Sequence, residues 1–252
     1  MNCNTGFKQV NISIAVNLSI GLSLILSTAA FADTKPTTVL FQPPPDEEQP
    51  EETEGAASRQ DKVCSQDLMA SQTKRNSLKL IAVVPKRNYG LTVAERPTFW
   101  VYFPQTSAQQ AILSIKAEGA NPHWQQPIEL TEESGMMGIK LSDAAPALET
   151  GKNYQWAVTL VCGSRPHPND PVVTAWIRRV AESDVVGSQL GAANKLELAQ
   201  MYAGQGIWYD TLDILFAAKK SSLANWQKLW QTYLQSGGLA QIADEPVIAA
   251  IH

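Results

Sequence analysis

The residues that could carry out chemistry in this chain are few and lie far apart. Asp210 and Asp213 are three positions apart, so in a helix they share one face, where paired carboxylates can act as general acid and base. Two acids at this spacing more often belong to a solvated helix face. The 252 residues include only three histidines and three cysteines, which excludes zinc fingers and multi-cysteine metal clusters.

The histidines and their neighbours indicate turns rather than a metal or catalytic site. His123 precedes Trp124, and His167 lies in the segment Arg-Pro-His-Pro-Asn-Asp-Pro. His167 with Asn169 and Asp170 could contact a metal ion, but Pro-Asn-Asp-Pro is more typical of a hairpin turn. We therefore expect no catalytic residue, metal or cofactor. The candidates that remain for a functional site are Asp210, Asp213, His123 and Trp124.

The first 32 residues are predicted to be a secretory signal peptide. Lys8 is their only charged residue, an apolar run follows over residues 12–30, and Ala30-Phe31-Ala32 forms an A-x-A cleavage site. An uncleaved membrane anchor is the alternative, because the run is about long enough to cross a bilayer. No later segment has that character, so we expect a periplasmic or extracellular protein without a membrane span after cleavage.

Two cysteines remain after removal of the leader, which contains Cys3. An even number of cysteines in an exported chain favours a disulfide, here between Cys64 and Cys162. Closing a loop of this size would stabilise the folded state by roughly 4–5 kcal/mol on the chain-entropy account. Two buried thiols are the alternative.

Residues 33–62 are predicted to form an acidic, proline-rich and disordered linker. Eight acids and three bases give this stretch a net charge of −5, and Pro43–Pro45 remove backbone donors. An acidic interaction tail is the alternative. The whole chain carries −4, and Lys8 of the leader contributes +1, so residues 63–252 are formally neutral. They lack the basic excess typical of nucleic-acid-binding proteins, so no nucleic-acid partner is expected.

Residues 63–184 are predicted to form an antiparallel β-sandwich. Short runs of β-forming residues recur between glycine and proline turns, which is typical of such folds. The expected strands are Lys79–Val84, Thr98–Phe103, Ala111–Ala117, Pro127–Leu130, Met137–Leu141, Asn153–Cys162 and Val172–Val180.

The segment from Leu148 to Tyr154 resembles the tyrosine corner of immunoglobulin-like and fibronectin type III sandwiches. It has the spacing L-x-x-G-x-x-Y, and in such corners the tyrosine hydroxyl hydrogen-bonds to the upstream backbone. Every second residue of the strand that follows is large or apolar, which predicts one buried face. Leu148, Gly151, Tyr154 and Trp156 are therefore predicted to be structural.

Residues 185–252 are predicted to form a small helical bundle packed on the sandwich. Apolar residues recur there at helical spacing, with glycine breaks after Ala203 and at Gly237-Gly238. The first two helices resemble one tetratricopeptide unit, which is too few for a superhelix, so a single hairpin is expected. Tyr202, Gly206 and Trp208 are predicted to be packing residues.

Three blocks of sequence together resemble an uncharacterised family. They are Gly90–Tyr102 (GLTVAERPTFWVY), Leu148–Trp156 (LETGKNYQW) and Leu198–Asp210 (LAQMYAGQGIWYD), with Cys162 after the second. In this order they look like the family numbered 928 among the domains of unknown function, found mainly in cyanobacteria. The resemblance implies export, a cyanobacterial source and strands followed by helices. It implies no activity and no catalytic residues.

These features favour a non-enzymatic interaction or assembly module of the cell envelope, whose partner is another envelope protein. One alternative is a hydrolase of cell wall or polysaccharide with Asp210 or Asp213 as the acid. The other is a carbohydrate-binding sandwich that uses exposed tryptophans, Trp100 and Trp124. A pocket that joined Trp124, His123 and Asp210 would favour the alternatives.

Overall fold

The computed structural model describes residues 1–2, 6, 38–44, 63–70, 79–120, 124–186, 194–220 and 225–251. The chain divides into two units, Met1–Lys35 and Pro36–His252, and every element below belongs to the second. The predicted signal peptide lies almost wholly outside the described residues. Within the described ranges, no helix is both long enough and apolar enough to cross a membrane.

The fold is a mixed α+β arrangement of two open sheets and several helices. In the described ranges the strands are β1 (Ile81–Ala82), β2 (Tyr89–Thr92), β3 (Thr98–Phe103), β4 (Gln110–Ala117), β5 (Trp124–Glu129), β6 (Gly135–Lys140), β7 (Asn153–Val161), β8 (Val172–Arg179) and β9 (Val247–Ile251). The helices are α1 (Ser65–Ala70), α2 (Glu182–Val186), α3 (Lys195–Gly204), α4 (Trp208–Lys220), α5 (Trp226–Ser236) and a 3-10 turn, Ala240–Ile242.

Both sheets contribute buried side chains to one apolar core cluster. The four-stranded sheet has the order β1-β3-β6-β9 and the five-stranded sheet the order β2-β8-β7-β4-β5. The ring centroids of Phe99 on β3 and Trp156 on β7 are 5.0 Å apart, one contact between the sheets. Side chains of β7 alternate between buried and half-buried, as the period of the sequence predicts.

The prediction of a purely antiparallel sandwich is wrong in two strand pairs. β2 runs parallel to β8, and β9 runs parallel to β6. Each of these strands joins its sheet beside a strand that is distant in sequence, so no hairpin pattern marks the pairing. β9 also corrects the prediction that residues 185–252 are helical throughout. The remaining strands match the seven expected segments to within a few residues.

Strand β2 was missed because it is short and contains a glycine. Gly90 faces helix α4 so closely that a Cβ there would lie 3.0 Å from Cβ of Trp208 and 3.1 Å from the ring of Tyr209. A residue that lowers strand propensity is therefore required where the helix approaches the sheet.

Helix α4 belongs to the core that the strands of both sheets share. Trp208, Tyr209, Leu212 and Leu215 are buried in the same apolar cluster as the strands of both sheets. On the opposite face of β2 and β8, a second cluster of Tyr89, Leu91 and Trp176 packs against Tyr202 of α3. The edge of the five-stranded sheet is thus covered on both faces, which explains why all four residues of β2 are buried.

A disulfide joins Cys64 to Cys162, as predicted, with their Cα atoms 5.6 Å apart. It attaches the segment before α1 to the end of β7. Two hydrogen bonds hold the Asp67 carboxylate of α1 against the loop between β3 and β4, one from the Thr106 hydroxyl at 2.7 Å and one from Ser107 N at 3.0 Å. The segment around Cys64 and α1 is therefore fixed both covalently and by polar contacts.

The prediction of a disordered linker over residues 33–62 is wrong for Thr38–Pro44, which we call the N-terminal strap. Val39 is fully buried, and Phe41 lies edge-on to Trp208 with ring centroids 5.0 Å apart. Gln42 N donates to the Ala203 carbonyl at 2.9 Å. Val39 and Phe41, with backbone hydrogen bonds, dock this extended segment although it lies in a polar and proline-rich stretch. Residues 33–37 and 45–62 lie outside the described residues.

Candidate functional site

The tyrosine-corner segment has the hydrogen bond that its pattern predicts. Glu149 N donates to the Tyr154 hydroxyl at 2.9 Å, and Gly151 N donates to the Arg179 carbonyl at 2.7 Å. Leu148 is buried, and buried Trp156 donates through Nε1 to the Tyr209 hydroxyl at 2.8 Å. These residues hold the loop before β7 and connect that strand to α4, so their role is structural.

The predicted acid pair is brought against two strands, one from each sheet. Asp213 accepts hydrogen bonds from the Thr98 hydroxyl at 2.7 Å and from Nε1 of Trp100 at 3.0 Å, both on β3. Asp210 accepts one from Val93 N, just after β2, at 3.2 Å and one from the Thr92 side chain. The two carboxylates thereby connect α4 to both sheets.

Burial raises the pKa of Asp210 to about 6. The hydrogen bonds from Thr92 and Val93 favour the charged form and oppose this shift, whereas the charge of Asp213 adds to it. A carboxyl group with such a pKa beside a second carboxylate could act as a general acid near neutral pH. Both residues are half-buried, and their carboxylates already accept hydrogen bonds from the strands. The first role of the pair is therefore to attach α4 to the two sheets.

The other candidates do not gather around this acid pair. Trp124 lies on β5, one edge of the five-stranded sheet, whereas Asp210 lies against β2 at the opposite edge. His123 lies outside the described residues. Trp100 is fully buried between the rings of Phe216 and Trp230, so the expectation of an exposed tryptophan is wrong there.

Trp124 is also a poor stacking platform. Its side chain is half-buried and packs against the main apolar cluster. Its neighbour on the same strand face, Gln126, donates to the Lys140 carbonyl and accepts from Ser142 N, so this face of β5 is turned toward the other sheet. Trp100 therefore cannot stack on a sugar, and half-buried Trp124 has part of its side chain packed against the apolar cluster.

The segment around His167 is the hairpin turn that its sequence predicts. Asp170 accepts hydrogen bonds from His167 N at 2.8 Å and from Cys162 N at 3.4 Å, and Asn169 N donates to Nδ1 of His167 at 3.2 Å. The Asp170 carboxylate and Nδ1 of His167 are therefore engaged in hydrogen bonds of the turn itself. In the part of the chain that the structure describes, no group of three potential metal ligands occurs.

The aromatic residues of the helices act as packing anchors. Trp208 is fully buried, stacks on Tyr233 with centroids 4.6 Å apart, and donates through Nε1 to the Val83 carbonyl at 2.8 Å. Tyr202 donates to Glu182 at 2.7 Å, and its pKa is raised by burial and by that carboxylate. The Trp208 bond fixes α4 beside the end of β1, and the Tyr202 bond connects α3 to α2.

A groove that receives the strap is the arrangement that sequence reasoning missed. We define the strap groove as Gln200, Ala203, Gly206, Trp208, Tyr233 and Ser236. Its residues belong to α3, α4, α5 and the turn between α3 and α4, which no local pattern connects. The one available signal was the run of three apolar residues, Val39 to Phe41, in an otherwise polar and proline-rich stretch.

A surface depression of about 810 Å³ lies at the end of the five-stranded sheet, well away from the strap. It is lined mainly by polar groups of the loops between β3 and β4 and after β5 and β7, including Gln105, Gln109, Glu129 and Ser164. Neither Asp210 nor Asp213 lines it, so it adds nothing to the acid pair.

Comparison with known sequences gives one match. The sequence model of a family described as Domain of Unknown Function (DUF928) matches residues 54–247, which is most of the chain. No curated protein and no solved structure matched the chain. The matched residues include the acid pair, the disulfide and the strap groove, whereas the strap itself precedes them.

Proposed function

The chain belongs to the family DUF928, and we propose that it is a non-enzymatic interaction module of the cell envelope whose partner is another envelope protein. The observation that carries this proposal is the use of the two aspartates. The carboxylates that could do acid–base chemistry accept four hydrogen bonds from β3 and from the residues at the end of β2, and they connect the sheets through α4. A pair engaged in this way supports a scaffold.

Export is part of the proposal. The leader with its A-x-A site and the Cys64–Cys162 bridge both favour an oxidising compartment outside the cytoplasm. The protein isolated from envelope fractions should start at Asp33, and reduction should add about two mass units for one opened disulfide. A native protein that begins at Met1 would instead support the anchor.

We also propose the finer architecture. The Tyr154 hydroxyl bond supports an immunoglobulin- or fibronectin-like sandwich that has been extended by two parallel strands. The pair α3 and α4, joined through Gln205-Gly206-Ile207, supports a tetratricopeptide-like hairpin. Such hairpins occur in proteins that present surfaces to other proteins, which agrees with an assembly role.

Site-directed photo-crosslinking in cells tests the proposal. A photoreactive residue is placed at exposed Gln125 on β5, at exposed Ser183 on α2, and at half-buried Gln200 on α3 beside the strap. We expect a discrete crosslinked protein from at least one face, identified by mass spectrometry and absent without irradiation. Crosslinking at no position above that background would contradict an interaction module.

The hydrolase alternative rests on one observation, the pKa of about 6 for Asp210 beside Asp213. Purified protein is incubated with peptidoglycan and with polysaccharides, and released reducing ends are measured. An activity that Asp210→Asn and Asp213→Asn each abolish, while both variants keep their fold, would replace our proposal with this one.

A further inference from the structure

The N-terminal strap lies on the helices as an extended peptide lies in a binding groove. Its side chains alternate, with Val39 and Phe41 directed inward and Leu40 directed outward. Leu40 is 48% exposed, and with Met1 it is one of two well-exposed large apolar side chains among the described residues. Alternation of this kind is how extended segments deliver affinity and specificity to a groove.

The groove meets the strap's backbone at three points. Nε2 of Gln200 donates to the Thr38 carbonyl at 3.0 Å, Phe41 N donates to the Ser236 hydroxyl at 2.9 Å, and Gln42 N donates to the Ala203 carbonyl at 2.9 Å. Ala203 and Ser236 lie in the last turns of α3 and α5, so the strap crosses the carboxyl ends of both helices.

Gly206 makes room for the end of the strap. It has a φ of +77°, and a Cβ at this position would lie 2.5 Å from Cδ of Pro44. The turn between α3 and α4 thus presents bare backbone at the point where a proline ring lies against it.

The walls of the groove are held by contacts that do not involve the strap. Trp208 stacks on Tyr233 and donates to the Val83 carbonyl, and Ser236 donates to the Tyr233 carbonyl at 2.7 Å. Removing Phe41 would expose one edge of this aromatic pair without removing its support. The groove is therefore preorganised, which lowers the cost of binding a peptide.

We propose that the strap groove is a docking site for an extended, uncharged segment of the partner protein, and that the strap occupies it in cis as a competitor. The strap defines the segment's chemistry. It has an aliphatic residue, an aromatic residue two positions later and a proline three positions after that, as in Val39, Phe41 and Pro44. The inference rests on the proposed interaction function and specifies its surface and the class of its partner.

Competition in cis sets a threshold for the partner. Residues 45–62 tether the strap to the sandwich, and eighteen residues of spacer correspond to an effective concentration in the millimolar range. A free segment with the same contacts therefore binds the intact protein about tenfold more weakly than a protein whose strap has been displaced. The segment of a true partner must exceed the strap in affinity.

Peptide binding to the full mature chain, residues 33–252, tests the proposal. The probe is a fluorescein-labelled peptide with the sequence of residues 37–45, TTVLFQPPP, followed by fluorescence anisotropy. In the chain carrying Val39→Asp, a charge replaces a fully buried side chain and expels the strap. We expect saturable binding to this variant, about tenfold tighter than to the wild-type chain.

Matched controls locate the binding. A peptide in which alanine replaces the phenylalanine should bind at least tenfold more weakly. Gln200→Ala with Ser236→Ala, added to the Val39→Asp chain, should reduce binding of the original peptide by about tenfold because two strap contacts are lost. Absence of saturable binding to a folded Val39→Asp chain, or binding that neither control changes, would overturn the proposal.

A second measurement does not depend on the folding of the Val39→Asp chain. A protease site placed within residues 46–61 of the wild-type sequence is cut after folding, and the labelled peptide is added. Exchange of the peptide into the groove, or binding after the cut strap dissociates, supports the proposal. A strap that stays bound and never exchanges, or a groove that stays empty after dissociation, overturns it.

The cellular experiment separates this inference from the proposed function. If partner crosslinks form at Gln125 or Ser183 but not at Gln200, and Val39→Asp does not increase them, the interaction module stands and the groove proposal fails. Crosslinks at Gln200 that increase in Val39→Asp support both. Crosslinks at no position contradict the proposed function and, with it, the assignment of a protein partner to the groove.

Discussion

At the scale of single residues, Asp210 and Asp213 have a role that depends on tertiary packing. Their spacing predicts a shared helix face, and the structure places them on one, but that face meets strands instead of solvent. Hydrogen bonds to a carboxylate are stronger than those between neutral groups, so two aspartates can fasten a helix to two sheets. The cost is the partial burial of charge, which appears in the raised pKa of Asp210.

The pKa of Asp210 gives a prediction about stability and pH. Because its pKa is about 6 in the folded state and about 4 in the unfolded state, the folded protein binds the proton more tightly. Protonation of Asp210 therefore contributes its full stabilisation of the folded state below about pH 4. This contribution is lost as the pH rises through about 6. For a partly exposed side chain we expect a loss of about 1–2 kcal/mol.

Asp210→Asn removes this titration. In urea unfolding, the change in the free energy of unfolding from pH 4 to pH 7.5 should be more positive for the variant than for the wild-type chain, by that 1–2 kcal/mol. Asp184→Asn, at an exposed position of α2, is the matched control and should keep the wild-type difference. An Asp210→Asn chain with an unchanged pH dependence would show that Asp210 is not the group responsible.

At the scale of elements, the sequence identifies those in which several apolar residues recur regularly within one continuous segment. β3, β7 and α4 follow their patterns closely, because each has a buried face of several residues. β2 and β9 were missed because they are short and pair in parallel with strands distant in the chain. The acid pair was predictable as a pair on a helix, but its partners on β2 and β3 come from tertiary packing alone.

The strap shows the same limit and gives the prediction at this scale. Phe41 contacts the rings of Trp208 and Tyr233, whereas neighbouring Leu40 is 48% exposed. Phe41→Ala should lower the free energy of unfolding by about 1–2 kcal/mol, a ceiling set by undocking of the strap. Leu40→Ala is the matched control and should change it by less than about 0.5 kcal/mol. Equal effects in chemical denaturation would contradict the docked geometry.

At the scale of the whole molecule, charge and connectivity carry different information. The acidity of the chain belongs to residues 33–62, and residues 63–252 are formally neutral, so recognition by the folded part depends on shape and on apolar contacts. The strap groove agrees with this, since the strap between Pro36 and Pro45 has no charged residue. Net charge therefore does not identify a partner.

The division into a sandwich of residues 63–184 and a helical region of residues 185–252 remains a prediction from the sequence. The packing between the two predicts that neither folds without the other. Tyr209 accepts from Trp156 and donates to the Trp176 carbonyl at 3.2 Å, and β9 completes the four-stranded sheet. A chain cut after residue 184 would leave these groups exposed and unpaired. Calorimetry of the full chain should therefore give one transition, with equal calorimetric and van't Hoff enthalpies. Residues 63–184 alone should lack a dispersed amide spectrum by NMR. A well-dispersed spectrum from that fragment would show that α4 is an addition to the sandwich and not part of its core. Two separate transitions in the full chain would show the same.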